Sequence, residues 1–264
     1  MHPCRRSELI PGFSRRDFFG LSFTDIGVGE AHKWLQSRTK DSEFAYVVTP
    51  NVDHILNLQA DLQLRQIYED ADICLCDSRI LALLAGLGGT KLTVAPGSEL
   101  VSLLLRSIGS GRSLSVVASS RDIVPKLSEL LPHVKIGCHV PPMGLRHNED
   151  ALSDAVDFVR TARADYILLA VGSPQQEILA DLLRRDGNVR GTALCIGAGI
   201  SFFTGDKKRA PRWMQRLSLE WAYRLLQEPR RLAYRYLIKG PAIFPAYARW
   251  LVSERRNRAD VEQE

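Results

Sequence analysis

Several things are scarce in this chain of 264 residues, and each scarcity removes a class of protein. There are only five cysteines, Cys4, Cys74, Cys76, Cys138 and Cys195, an odd number with no CxxC pair. A disulfide framework or a zinc knuckle is therefore excluded, and a reducing compartment fits. The six histidines contain no HxxxH pair; His133 with Cys138 and His139 is the one grouping a metal could gather, and packing roles explain those residues more simply. No metal or other cofactor is expected. The longest uncharged runs, Ile80 to Thr90 and Gly191 to Gly205, are broken by glycines and fall below the roughly 20 residues of a spanning helix. The first residues, with Arg5, Arg6, Glu8, Arg15, Arg16 and Asp17, lack the apolar centre of a secretory signal, so a cytoplasmic location is expected. Dinucleotide and nucleotide-triphosphate loops are missing too. Gly197-Ala-Gly199 continues as Ile200, Ser201, Phe202 without the third glycine, and Gly88-Gly89-Thr90-Lys91 lacks the spacing of a phosphate loop.

What is present is an ample apolar fraction and an uneven charge. The 45% hydrophobic content supports a sizeable core, and this length suits one α/β body around a single sheet. From Asp206 to Arg258 there are 14 Lys/Arg against 4 Asp/Glu, a balance of +10, whereas the remainder holds 21 against 26. A mildly acidic body thus carries a strongly basic C-terminal fifth. Such a segment suits an anionic partner, whether a membrane surface, a nucleic acid or a diphosphate.

Along the chain, short apolar runs alternate with helical patterns. After a polar leader of about 16 residues, FFGLSF around Phe18 predicts a strand or strand pair, and Thr24 or Asp25 precedes a helix through Trp34 and Leu35. Phe44 to Val48 is β-rich and ends in Thr49-Pro50-Asn51, followed by a helical pattern over Val52 to Asp70. Ile73 to Cys76 reads as a strand ending on Asp77, before a buried helix over Ile80 to Leu87. Further strands are predicted at Ser113 to Ala118, Val134 to Val140, Asp165 to Val171 and Thr192 to Ile196, with helices from about Ser98, over Asp122 to Leu131, over Glu149 to Ala164 and on to Arg185. This alternation predicts an α/β fold, a mostly parallel sheet with helices on both faces. Past Gly205 only helical patterns remain, separated by prolines. The division expected is an α/β body over residues 1–205 and a helical, basic C-terminal extension over 206–264.

The organising stretch runs from Gly197 to Tyr236. Its glycines follow an apolar run, so backbone amides there are expected to face a ligand. Lys207, Lys208 and Arg209 lead into a helical pattern in which Met214, Leu217, Trp221, Arg224 and Leu225 share a face. Arginines near a strand end point to an anionic group, although snorkelling along an amphipathic helix accounts for any one of them. Asp77, at the carboxyl end of a strand, stands where open sheets bind ligands; helix capping is its other reading.

Thr49-Pro50-Asn51, Ala71-Asp72 to Asp77, Gly172-Ser173-Pro174-Gln175-Gln176-Glu177, Gly197-Ala198, Ala210-Pro211, Glu220-Trp221, Arg224-Leu225, Glu228-Pro229, Arg231-Leu232 and Arg235-Tyr236 together resemble the WecG/TagA/CpsF glycosyltransferases. The resemblance extends from about residue 20 to residue 238. It implies a Rossmann-like body and an enzyme that moves a hexosyl unit from a nucleoside-diphosphate sugar, with uridine as the expected base, to a sugar linked through diphosphate to a polyprenol. It further implies inversion at the anomeric carbon, a role in exopolysaccharide or cell-surface glycan assembly, and peripheral attachment to the inner face of the cytoplasmic membrane.

Sugar transfer requires a base for the acceptor hydroxyl, and Asp77 is the candidate. Arg224, Arg231 and Arg235 are candidates for the departing diphosphate, in the absence of a conspicuous DxD metal motif. Thr49, Asn51, Gln176 and Glu177 are expected to hold the sugars. Tyr247, Trp250 and Leu251, near Arg249, Arg255 and Arg256, have the composition of an interfacial helix with aromatic anchors. Three departures from the family pattern stand out: Ser78 follows Asp77 where a glycine is usual, Val94 occupies an arginine position, and Ala118-Ser119-Ser120 replaces a glycine pair. Arg79 is placed to supply the missing charge. An inactive or regulatory membrane-associated relative and a basic-tailed nucleic-acid-binding protein are the other classes this composition allows; no nucleic-acid partner is expected, and a homo-oligomer is left open.

Overall fold

A computed structural model describes residues 12–207, 210–211, 213–214 and 219–261. Most of the expected leader, together with Lys208, Arg209 and Leu217, lies outside the described residues. The chain begins with an antiparallel hairpin, β1 (Arg15–Phe18) and β2 (Leu21–Thr24), turned by Phe19 and Gly20, both at positive φ. Helix α1 (Val28–Ser37) then leads into β3 (Ala45–Val48).

Six strands form one all-parallel sheet in the order β4-β3-β8-β7-β5-β6, where β4 is Ile73–Cys74, β5 Ser113–Ala118, β6 Lys135–His139, β7 Tyr166–Ala170 and β8 Thr192–Cys195. The central strands are predominantly apolar because both faces are covered. Successive side chains alternate between two cores: Tyr46, Val48, Ile167, Leu169, Ala193 and Cys195 enter one, and Val47, Tyr166, Leu168 and Leu194 enter the other. The first core is closed by α2 (Val52–Leu58), α3 (Leu62–Glu69), α4 (Arg79–Leu87), α7 (Glu149–Ala162) and α8 (Gln175–Asp186). Opposite them lie α1, α5 (Gly97–Ser107), α6 (Ile123–Leu130) and the short α9 (Gly199–Phe203).

Two boundaries differ from expectation. The single helix predicted from Val52 to Asp70 is two helices, because the Asp61 side chain accepts the Leu64 amide at 2.9 Å and starts α3 afresh. The strand predicted over Ile73 to Cys76 pairs with β3 through Cys74 only, and Cys76 then bridges to Val94.

The C-terminal part runs through α10 (Glu220–Gln227), α11 (Pro229–Ala233), a π-helical turn over Tyr234–Lys239, a 3-10 turn over Gly240–Ala242 and α12 (Ile243–Val261). Pro241 has no N–H to give the preceding turn, and the helix is irregular there. Helix α12 lies on the first core. Trp250 stacks on Phe19 with centroids 5.5 Å apart and meets Phe18 edge-on at 5.0 Å, while Tyr247 is buried beside them. The expected interfacial anchors Tyr247 and Trp250 are therefore internal contacts, drawn in by the aromatic hairpin turn that sequence spacing alone could not bring near.

At the amino edge of the sheet, the carboxylate of Asp165, 4% exposed, accepts hydrogen bonds from Lys40 N (3.0 Å), Arg112 Nη1 (2.9 Å), Ser113 N (2.8 Å) and Ser113 Oγ (2.9 Å). Burial alone would raise its pKa, but these donors together outweigh burial and hold it below the ordinary value. Its contribution to stability is thus complete above the ordinary carboxylate pKa near 4 and is lost as pH falls through the lowered native value. Asp165→Ala should cost about 3–5 kcal/mol at pH 7, seen as a drop in thermal midpoint. The difference from the parent protein should narrow in scans below about pH 4; a constant difference would show that the carboxylate charge is immaterial.

Candidate functional site

Adjacent strands send the chain to opposite faces: β7 continues into α8 on one side of the sheet and β8 into α9 on the other. That divergence opens a crevice at the carboxyl edge, the position where open parallel sheets bind ligands. The crevice is a cleft of about 1200 Å³ bordered by the ends of β3, β4, β5, β7 and β8 and by the segment from Glu220 to Phe244. Thr49, Asn51, Asp77, Gln176, Arg224, Arg231 and Arg235 all line it, though they come from widely separated parts of the sequence. Glu177 does not.

Asp77 is not the cap of the helix that follows it. Ser78 takes that role, its side chain accepting from Leu81 N at 3.3 Å. Asp77 Oδ1 instead accepts the Gly97 amide at 3.1 Å, at the first turn of α5, while the Asp77 amide donates to Pro50 O at 3.1 Å. Gly97 has no alternative at this position, because a Cβ would come within 2.7 Å of Thr49 Oγ1 and 2.9 Å of Thr49 Cγ2. Thr49, Asp77 and the start of α5 are thus one packed unit.

Asn51 caps α2, its Oδ1 accepting from Asp53 N at 3.0 Å and His54 N at 3.5 Å. The same oxygen accepts from Arg235 Nη2 at 3.4 Å, so these bonds engage the side-chain oxygen of Asn51 and leave its Nδ2 outside them. Gln176, 3% exposed, is held at both ends: Oε1 accepts the Gly197 amide at 2.8 Å and Nε2 donates to Glu177 Oε1 at 2.8 Å. Gly199 N donates to Ile196 O at 2.8 Å. These two glycine amides, expected to face a ligand, are engaged within the protein. Glu177, 1% exposed, also accepts from Tyr68 Oη at 3.0 Å. Burial, reinforced by Glu177, raises the Tyr68 phenol well above its ordinary pKa and keeps it a donor. The expected sugar contact of Glu177 therefore becomes support for Gln176 from beneath the cleft, since the α8 turn rotates one side chain to the wall and the next into the core.

The arginines come from the segment over Glu220 to Phe244 that borders the cleft. Arg224 lies over the Phe202 ring, 5.4 Å from its centroid. Arg231 pairs with Glu228, which also receives Lys207 at 2.6 Å. Burial would raise the Glu228 carboxyl, but these two cations hold it below its ordinary value. Arg235 Nη2 meets Asp53 Oδ2 at 3.2 Å, and Lys239 meets Asp53 Oδ1 at 2.7 Å. Asp53, His54 and Phe202 also line the cleft and were not among the candidate site residues, nor were Ser173 and Lys207, which the sequence marked only as parts of a motif and of the basic stretch; for His54 the Asn51-x-x-His54 spacing of a capping box was the available signal. At the three departures from the family pattern, Ser78, Arg79, Val94, Ser119 and Ser120 line the cleft as well. Among the described residues no three His, Cys, Asp or Glu side chains are grouped to hold a metal; His133 is occupied with Ile108 O and His139 stacks on Phe158.

Fold and cleft define an open-sheet α/β protein whose crevice gathers Asp77 and several arginines along one border. Residues 16–257 match the pattern of the glycosyl transferase WecG/TagA/CpsF family, and the chain belongs to that family. It is 34% identical over 140 residues to a Bacillus subtilis (strain 168) protein named N-acetylglucosaminyldiphosphoundecaprenol N-acetyl-beta-D-mannosaminyltransferase. That similarity spans 52% of this chain and 49% of the relative, about half the length of each.

Replacement of Gly97 by alanine must displace Thr49 or the start of α5, and with it the Gly97–Asp77 hydrogen bond. Gly97→Ala should lower glycosyl transfer by about a hundredfold, the scale of an ångström's misplacement at a reacting centre. Its thermal midpoint should reflect a loss of only about 1–3 kcal/mol. Undiminished kcat/KM in this variant would show that Thr49 and Asp77 need not hold these positions.

Proposed function

We propose that the protein moves a hexosyl unit from a nucleoside-diphosphate sugar, with uridine as the base, to a sugar carried on a polyprenyl diphosphate, in the assembly of exopolysaccharide or another cell-surface glycan. The observation that carries this reading is the convergence of Asp77 with Arg224, Arg231 and Arg235 on one cleft. The relative's name, which specifies an N-acetylmannosaminyl donor unit and a diphosphoundecaprenol-linked N-acetylglucosamine, supports the substrate classes. The cleft volume also exceeds the roughly 300–1000 Å³ usual for one small ligand and suits two substrates together.

In this reading the acceptor hydroxyl oxygen attacks the anomeric carbon as its proton passes to Asp77. The bond from that carbon to the diphosphate oxygen breaks, its electron pair leaves with the nucleoside diphosphate, and a single displacement inverts the configuration. Arg224, Arg231 and Arg235 balance the charge that gathers on the leaving oxygens. No cofactor is assigned. Thr49, the Asn51 side-chain Nδ2 and Gln176 position the sugars, with Glu177 fixing Gln176.

Among the described residues no helix is long and apolar enough to cross a membrane. Exposed Tyr234, Leu237, Ile238 and Phe244 lie on the basic segment beside the cleft, near Arg230 and Lys239. We assign this surface to peripheral docking on the anionic inner face of the cytoplasmic membrane, where a prenyl-linked acceptor is held.

Two experiments test the reading. Radiolabelled sugar from a panel of UDP-sugars should pass to a short-chain prenyl-diphosphate glycoside, and Asp77→Asn should lower that rate by about 10²–10⁴-fold with donor affinity unchanged. Transfer that survives in Asp77→Asn would place the base elsewhere. Separately, the double variant Leu237→Asp, Ile238→Asp should lose co-sedimentation with anionic vesicles while its melting temperature stays near that of the parent; retained vesicle binding would remove this surface from the docking role.

A further inference from the structure

Among the described residues the cleft is lined by one imidazole, and the transfer mechanism does not use it. His54 lies on the first turn of α2 and lines the cleft wall next to Asn51 and Ser173. Its Nδ1 is 3.1 Å from the Asn51 amide nitrogen. A backbone amide can only donate, so Nδ1 must be the acceptor, and the proton of the neutral ring is carried on Nε2. With Nδ1 turned back into the capping turn, the polar atom left to a ligand is an N–H donor.

The surroundings favour the uncharged ring. Two cations, Arg235 and Lys239 from the π-helical turn, face it along with two carboxylates, Glu177 from α8 and Asp53 from its own helix, and the Tyr68 ring of α3 stands 6.1 Å away. The charges oppose one another, and desolvation is the largest influence, lowering the pKa of the ring. The cleft therefore combines permanent cations, suited to diphosphate oxygens, with an uncharged imidazole donor. An uncharged N–H gains little from a diphosphate that arginines already surround. It matches a sugar hydroxyl or the carbonyl of an N-acetyl group.

We propose that His54 is a substrate-contacting residue of the transfer site, donating a hydrogen bond from Nε2–H to an uncharged oxygen of a hexosamine ring, belonging to either donor or acceptor. The proposal rests on the glycosyl-transfer reading above. It gives the site a means of selecting a sugar by its oxygens, in addition to the diphosphate it carries.

The test must separate this contact from the capping of α2, to which His54 also contributes. Glutamine and glutamate both serve at the third position of a capping box, but only glutamine offers an N–H. His54→Glu should lose roughly ten- to hundredfold in kcat/KM for sugar transfer with a similar thermal midpoint, and His54→Gln, which keeps an N–H at this position, should lose about tenfold less than His54→Glu. Equal kcat/KM in the two variants would overturn the proposal. A readout independent of turnover comes from protein labelled with ¹⁵N-histidine, titrated with UDP, with UDP-N-acetylmannosamine, and with a soluble alkyl-diphosphate N-acetylglucosamine. A shift of the His54 Nε2–H signal beyond that caused by UDP is expected in one of the two sugar arms, and the responding arm identifies donor or acceptor as the source. No such shift in either sugar arm would overturn the proposal even where the parent protein transfers sugar. Failure of the parent protein to transfer any sugar counts against the transferase reading instead, while the ¹⁵N titration still decides the role of His54.

Discussion

The hydrogen bond from the Gly97 amide to Asp77 Oδ1 is the point on which the cleft depends. It joins the end of β4 to the start of α5, and the missing side chain at Gly97 lets Thr49, at the end of β3, close against the same atoms. Helix α5 is in turn held by Leu100, Val101, Leu104 and Leu105, all buried in the second core against α1 and α9. Burial of such side chains contributes about 1.5–3 kcal/mol each, far more than a single surface hydrogen bond. The proposed base is thus located by the packing of a helix whose side chains never reach the substrate. A second chain of contacts runs from Tyr68 through Glu177 and Gln176 to Gly197 and fixes the other side of the floor in the same way.

The basic wall is built on different physics. Helix α10 has no fully buried residue, and the segment from Glu220 to Ala242 buries Leu232 almost alone among its apolar side chains. Partly exposed ion pairs set its position: Lys207 and Arg231 on Glu228, and Arg235 and Lys239 on Asp53. Exposed pairs of this kind contribute about 0–1 kcal/mol each, so they orient the segment more than they stabilise it. Firm attachment begins only at Ile243, where α12 enters the first core and meets the aromatic turn of the β1–β2 hairpin. The carboxylates that pair with the arginines occupy them with the same chemistry a diphosphate would offer, and in the proposed reaction substrate and protein carboxylates compete for one set of cations.

Much of this molecule could be read along the chain. Strands such as Tyr166–Ala170 are short apolar runs bounded by turn residues, and their alternation with helical patterns required a parallel sheet with covered faces. Residues placed at strand ends by that reading, Thr49, Asn51, Asp77 and Gln176, do border one cleft, since every parallel strand ends at the same edge. Their partners were a different matter. Asp77 and Ser78 are both capping residues by type, and which one caps α4 depends on where α5 arrives, twenty residues later.

Local periodicity and punctuation determined the elements, their order and the edge of the sheet that holds the chemistry, because these follow from backbone geometry within a few residues. Tertiary structure alone decided which neighbour faces the cleft and which the core. Gln176 and Glu177 differ by one position, and about 100° of helix rotation sends one to the wall and the other beneath it. It alone turned Tyr247 and Trp250 inward onto a hairpin more than 200 residues away, and paired Arg235 with Asp53 across a similar span. Contacts of that kind depend on how helices and strands pack in space, and pattern along a single chain carries no record of it.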